Sequence, residues 1–288
     1  MAPFRFLCLS TMNKPVWTTS RFDLDLSSPK VMAIINVTPD SFSDGGQHAS
    51  TSAALRHCEQ VLRDGAHILD IGGESTRPGS PAVSLEDELA RVLPVVQEAV
   101  KLGVPVSVDT YKPEVMQAVL DAGADIINDI WALRQGNALE VVAAHPRCGV
   151  CLMHMYRDPQ TMQVAPMEGD VLAPVFAFLG QRAEALQQRG VAATRIMLDP
   201  GIGFGKTVEQ NFSLLARQPE LLSAGYPVLA GWSRKSSLGA VTGRVDPRDR
   251  VAASIAAALL AAHRGASVLR VHDVRETVDA LAVWAMVR

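Results

Sequence analysis

Short apolar runs recur along this chain at nearly constant spacing, and most of them stop on a polar residue. Residues 31–35 run into Asn36, 67–69 into Asp70, 106–108 into Asp109, and 126–127 into Asn128. Residues 196–198 end in Asp199, 228–231 open into Ser233-Arg234-Lys235, and 267–269 end in Arg270. Runs this short and apolar read as strands buried on both faces, as a parallel sheet requires. Strands are therefore predicted at 31–36, 66–71, 105–109, 125–128, 149–153, 195–199, 227–231 and 267–271. Between them, apolar residues at three- and four-residue spacing predict helices over 53–62, 85–100, 113–120, 172–188, 250–263 and 274–287. Ser84 ahead of Glu86-Asp87-Glu88 marks one helix start, and Gly103, Gly123 and Gly190 mark helix ends. A hairpin is predicted around 17–26.

Strands alternating with helices at this rhythm predict an α/β fold, a (β/α)8 TIM barrel with a short N-terminal β-hairpin. A doubly wound sheet would gather its ligand groups at one switch point, whereas here a polar residue follows nearly every strand. No linker or low-complexity tract interrupts the pattern. Residues 17–288 are expected to form one domain, preceded by a flexible leader over 1–16. A buried unpaired charge is expensive, so polar residues at so many strand ends predict one rim that reads a ligand.

Composition narrows this picture. The chain has 288 residues, 48% hydrophobic and 20% charged, with a formal net charge of −3, which fits a globular protein without a basic stripe for nucleic acid. No apolar stretch reaches the roughly 18 residues of a membrane span. Four cysteines without regular spacing suit a reducing, cytoplasmic location. Cys148 and Cys151 form a C-x-x-C with His154 nearby. On a strand, however, residues three apart face opposite ways, so these read as core residues rather than a zinc or redox pair.

The loops carry the chemistry. Residues 36–46 form a long polar loop with one bare Phe42 and two closing glycines, suited to a lid. Residues 70–79 place Gly72 and Gly73 for close backbone approach, with Thr76 and Arg77 as donors to an anion. Asp109, Asn128 and Asp199 lie on separate strands and suit a flat heterocycle with adjacent N–H and amino donors, such as a pterin or guanine edge. The turn Asp199-Pro-Gly-Ile-Gly-Phe-Gly-Lys206 is neither a Walker loop nor a dinucleotide fingerprint, and its glycines let backbone and Phe204 press on a ring. Residues 231–237 and 270–273 follow strands seven and eight, where barrels of this type hold phosphate.

The motifs NVTPDSFSDGG, DIGGESTRPG, SVDT, IND, LDPGIGFGK, SRKS and RVHDV, in this order, closely resemble the bacterial dihydropteroate synthase family over roughly residues 30 to 288. The resemblance implies a homodimeric, Mg2+-dependent barrel enzyme of folate biosynthesis. Such an enzyme condenses (7,8-dihydropterin-6-yl)methyl diphosphate with 4-aminobenzoate and releases diphosphate. It implies that Asp109, Asn128, Asp199 and Lys235 hold the pterin, with Met153, Gly203 and Phe204 lining its slot. Arg270 would stack on the ring and face the diphosphate. Asn36 would bind Mg2+, assisted by Thr76 and His272, with Ser233 in the same substrate-contacting set. Ser236 would take the aminobenzoate carboxylate, and Phe42, Arg77 and Pro78 would complete that mobile pocket. The catalytic set is then Asp109, Asp199, Lys235, Arg270 and His272. Bond cleavage ahead of amine attack is the expected order.

Departures are few. Trp232 sits inside the G-x-S-R-K-S motif, and the stretch after LMHM, Tyr156-Arg157-Asp158, differs from the small or amide residues of the family. Phe42 is followed by Ser43-Asp44-Gly45 without insertion, so sulfonamide sensitivity is expected. A corrinoid-dependent methyltransferase would share the pterin pocket but needs no diphosphate site. A non-catalytic pterin-binding paralogue would have no use for Asn36, Thr76, Arg77, Lys235 and His272. A class I aldolase would use Lys235 as a Schiff base.

Overall fold

The computed structural model describes residues 15–37, 46–75, 82–159, 161–162 and 164–287. Its first element is the predicted hairpin, β1 (Val16–Thr18) antiparallel to β2 (Asp23–Asp25). Eight parallel strands follow: β3 (Lys30–Asn36), β4 (Ile68–Gly72), β5 (Val106–Asp109), β6 (Ile126–Asp129), β7 (Gly149–Met153), β8 (Ile196–Asp199), β9 (Leu229–Ala230) and β10 (Val268–Val271). Their order is β8-β7-β6-β5-β4-β3-β10-β9, and a parallel bridge from Leu198 to Val228 joins the two ends. The sheet is thus a closed barrel, as the alternation predicted, and the open doubly wound arrangement is set aside.

Helices α1 (Gly46–Arg63), α2 (Leu85–Ala99), α3 (Pro113–Asp121), α4 (Ala138–Ala144), α5 (Leu172–Gln187), α6 (Val208–Ala216), α7 (Gln218–Leu222), α8 (Ser236–Thr242), α9 (Val251–His263) and α10 (Val274–Ala285) occupy the connections. Helix α2 starts as read: the Ser84 side chain accepts from the Asp87 N–H. Gly103, Gly123 and Gly190 all have left-handed φ. Helices α4, α7 and α8 have seven residues or fewer, too short to display a 3.6-residue period. Helix α1 begins seven residues ahead of the predicted 53, because 46–52 carry no apolar stripe. Val16 already belongs to β1, so the domain starts inside the expected leader, while residues 1–14 lie outside the described ones.

Alternation along the strands divides the barrel. Val31, Ala33, Ile35, Leu69, Ile71, Val106, Val108, Ile127, Val150, Leu152, Ile196, Leu198, Leu269 and Val271 point outward into the core shared with the helices. The other set points inward. At the N-terminal end the inward residues are Met32, Ile68, Ile126, Cys151, Met197, Leu229 and Val268, and fully buried Trp17 from the hairpin closes this apolar layer from below. The Trp17 indole N–H donates to the Arg195 carbonyl (2.9 Å), and Arg21 pairs with buried Asp125 beneath β5 and β6 (2.6 Å). Cys148 sits in the outer core and Cys151 in the inner layer, so the two thiols face apart, as the strand reading required.

Candidate active site

One step along the same strands, the inward positions turn polar. Asp70 is fully buried and is the hub: its carboxylate accepts from Arg270 Nε (2.6 Å), Ser107 Oγ (2.6 Å) and Asn128 Nδ2 (3.3 Å). Arg270 also donates from Nη2 to Asp109 (2.7 Å). The sequence placed Asp70 on the rim near the Arg77 loop, without a partner. It instead lies inside β4, which continues to Gly72, just as Arg270 lies inside β10. Burial raises the Asp109 carboxyl above the usual carboxylate range, while the Arg270 charge opposes this. For Arg270 burial disfavours the charge, but Asp70 and Asp109 more than compensate, and its proton is held more firmly than usual.

Asp199 ends β8 on another side of the mouth. It accepts from the Gly201 N–H (2.7 Å), and burial raises its carboxyl against that bond and the charges of Lys235, Lys206 and Arg270. The Lys235 ammonium lies 4.2 Å from the centre of the Phe204 ring, and a Cβ on Gly203 would meet the Lys235 stem at 3.3 Å. The Gly203 N–H donates to Asn211 (2.8 Å), which also donates to Ser237 (3.0 Å), tying this turn to the start of α8. Phe204 and Met153 belong to one buried cluster with Ile130, Met155 and Met162, flanked by Tyr111 and Trp131. Aromatic and thioether side chains thus pack beside the strand ends that carry Asp109, Asn128 and Asp199.

A strained turn supports one wall. Ala132 and Leu133 have φ of 51° and 59°, unusual for residues with side chains. The buried Asp129 carboxylate accepts from the Trp131 and Leu133 N–H groups (2.7 and 2.6 Å), while Arg182 donates to the carbonyls of Ala132 and Leu133. Burial pushes Asp129 up to about 7, against those two N–H bonds.

At the mouth's remaining side, His272 Nδ1 lies 2.9 Å from Ser233 Oγ, and the His272 N–H donates to the same hydroxyl. Arg234 is bound to Asp273 and so is withdrawn from an anion. Ser236 is exposed at the first residue of α8, and Asn36 is half-buried at the end of β3, opposite Gly72. Lys112 bridges Glu74 and Glu88, fixing the start of the loop after β4 to α2. Phe42, Thr76, Arg77 and Pro78 lie outside the described residues. Sequence reasoning missed Ser107, Asp129, Lys206 and His154, and left Asp70 without a role. Their partners lie on other strands or in the backbone, which no local motif announces.

A closed parallel barrel with carboxylates, an amide and cations gathered at its C-terminal mouth has the architecture of TIM-barrel enzymes. The family model described as pterin binding enzyme matches residues 32–272. A dihydropteroate synthase of Neisseria meningitidis serogroup C is 49% identical over 276 residues, covering 95% of this chain and 98% of that one. The Xanthomonas albilineans dihydropteroate synthase solved with 4-aminobenzoic acid superposes with a TM-score of 0.90 at 52% identity, covering 96% of this chain and 98% of that one. The Burkholderia cenocepacia enzyme complexed with 7,8-dihydropteroate gives 0.88 at 52% identity, with the same coverage. The chain belongs to the dihydropteroate synthase family of pterin-binding enzymes.

Proposed function

We propose that this chain condenses (7,8-dihydropterin-6-yl)methyl diphosphate with 4-aminobenzoate, forming 7,8-dihydropteroate and diphosphate in folate biosynthesis. The observation that carries this reading is the convergence of Asp109, Asn128, Asp199 and Lys235 around the slot walled by Met153 and Phe204. The carboxylates and the Asn128 amide complement the amino and N–H edge of a pterin, and charge-assisted bonds make that edge the strongest point of recognition. The solved Xanthomonas and Burkholderia enzymes hold the acceptor and the product of this reaction.

The chemistry follows from charge. Breaking the C–O bond leaves positive charge on the pterin methylene and adds negative charge to the departing diphosphate. Asp109 and Asp199 stabilise the first, while Lys235, Arg270 and His272 serve the second, with Ser233 orienting the His272 ring. Water is kept from the cation by the Ile130, Met153, Met155, Met162 and Phe204 walls. The incoming amine then forms the C–N bond and gives its surplus proton to the departing diphosphate, so it needs only to be oriented, a task we assign to Ser236 with Phe42, Arg77 and Pro78. Cleavage ahead of attack is the order this arrangement favours.

Among the described residues no three His, Cys, Asp or Glu side chains gather to hold a metal. That donor set still fits Mg2+, which binds through few protein oxygens and completes its shell with water and substrate phosphates. The Asn36 carboxamide oxygen would hold it, assisted by Thr76 and His272, and the ion would neutralise diphosphate charge. The free thiols of Cys58, Cys148 and Cys151 suit the cytoplasm. Leu260 on α9, with Val283 and Met286 at the C-terminal helix, is an exposed apolar set suited to a homodimer contact, checked by sedimentation.

The decisive experiment measures diphosphate release that depends on both substrates, on Mg2+, and on inhibition by a sulfonamide competing with 4-aminobenzoate. Lys235→Ala should abolish turnover with the fold intact. Absence of 7,8-dihydropteroate formation and diphosphate release with both substrates present refutes the assignment.

A further inference from the structure

We propose that Lys206, as its ammonium, is a positioning residue that staples the turn 199–206 to the loop after β7 and so presents Asp199 and Phe204 to the ring. The proposal rests on the pterin-binding reading of that slot. Lys206 is buried, yet among the described residues it forms no ion pair. Its Nζ lies 2.9 Å from the Gly201 carbonyl, 3.0 Å from His154 Nδ1, 3.2 Å from the Phe204 carbonyl and 3.4 Å from the His154 carbonyl.

The three carbonyl oxygens within 3.4 Å, those of Gly201, Phe204 and His154, match the three N–H bonds of an ammonium, whereas a neutral amine has two donors and leaves one of those oxygens without a partner. His154 is neutral, since burial, the Lys206 charge and Arg134 push its pKa down to about 3, so its ring sets no second charge against the ammonium. The His154 ring is itself held edge-on against Phe178 at 5.1 Å.

The turn needs such a staple. Gly201, Gly203 and Gly205 have φ of 69°, 81° and 72°, so no helix or strand ladder stabilises it. It also packs hard against the neighbouring loop: a Cβ on Gly201 would lie 1.8 Å from the His154 carbonyl oxygen, and one on Gly205 2.7 Å from Tyr156 Cβ. Lys206 sits in that seam and bonds both sides. Asp199 begins the turn and Phe204 lies two residues from its end, so the amine bonds the segment between the two groups that would touch the ring.

The environment also tunes the staple. Burial pushes the Lys206 ammonium down to about 7, with Asp199 supporting and Lys235 opposing the charge. If the ring binds the ammonium form, affinity is divided by the fraction of Lys206 still protonated, and it falls as pH rises above that point.

The test is titration calorimetry of 6-hydroxymethylpterin, with steady-state kinetics for both substrates. For wild type, pterin affinity should fall at least tenfold between pH 7 and 9. Lys206→Arg keeps its charge through this range and should remove that decline. Lys206→Met should weaken pterin binding at least tenfold at pH 7, raising the KM of the pterin substrate while that of 4-aminobenzoate changes less than threefold. A pH profile shared by wild type and Lys206→Arg overturns the proposal, as does equal damage to both substrates. Absence of pterin binding by wild type would instead refute the reading of the slot.

Discussion

On β4, Ile68 faces the plugged end of the barrel, and Asp70, two residues later, faces the open end. On β10 the same step separates Val268 from Arg270, on β6 Ile126 from Asn128, and on β8 Met197 from Asp199. Two residues of strand advance about 7 Å along the barrel. Within that distance the interior changes from a dry layer sealed by Trp17 to a layer of carboxylates, amide and guanidinium. The lower layer holds the strands by area removed from water. The upper layer holds them by cross-strand bonds whose spare capacity faces a ligand. Each end can therefore be damaged separately, and doing so tests whether the division is real.

The largest effect should come from Asp70→Asn, at the hub of the upper layer. Arg270 would keep only Asp109 as a charged partner, and Ser107 and Asn128 would face an amide instead of a carboxylate. Removing one partner from a buried ion pair costs about 3 kcal/mol or more, so denaturant unfolding should register the loss. Turnover should fall at least a hundredfold, because the orientation of both Arg270 and Asp109 depends on Asp70. Wild-type kcat/KM in a folded Asp70→Asn protein would reduce this network to scaffolding.

Trp17→Ala strikes the other end. Truncating a fully buried tryptophan and leaving a cavity costs about 3–5 kcal/mol. It also removes the indole bond to the Arg195 carbonyl. At temperatures where the variant is folded, kcat and both KM values should stay within twofold of wild type. A selective rise in one KM would show that the plug reaches the site, and the separation of the two layers would be lost.

How much of this was legible in the chain follows from the same contrast. The barrel was readable because outward positions repeat as apolar pairs on most strands, a local and periodic signal. Asp109, Asn128 and Asp199 were readable because each closes its run. Asp70 looked like a strand end for the same reason, although β4 runs on to Gly72. Its partner Arg270 lies 200 residues away, and no local spacing links the two. Lys206 was passed over because most of its acceptors are backbone carbonyls, which leave no mark in the residue pattern. The loops carrying Phe42, Thr76, Arg77 and Pro78 were recognisable as motifs, but those residues fall outside the described structure.

The smallest effect tests the wall between the layers and the solvent. Asn128 and Asp129 are neighbours on β6 with opposite tasks: Asn128 points inward and donates to Asp70, and Asp129 turns outward to hold the strained turn at Ala132 and Leu133. In Asp129→Asn, one amide oxygen replaces two carboxylate acceptors, so an N–H of Trp131 or Leu133 would oppose an NH2 group. Leaving one buried donor unsatisfied costs about 1–3 kcal/mol. Because Ile130 and Trp131 pack with Met153 and Phe204, to which we assign the pterin ring, the KM of the pterin substrate should rise severalfold with kcat nearly unchanged. The pH dependence gives an independent check. With the carboxyl raised to about 7, the folded protein binds more protons here than the unfolded chain, whose Asp titrates near 4. Wild-type stability should therefore decline as pH rises from about 4 to about 7 and level off above, and the variant should lack that contribution. Denaturant midpoints measured across this range decide it: identical slopes for the two proteins would mean that Asp129 is ionised throughout, and that the turn is held by Arg182 and packing instead.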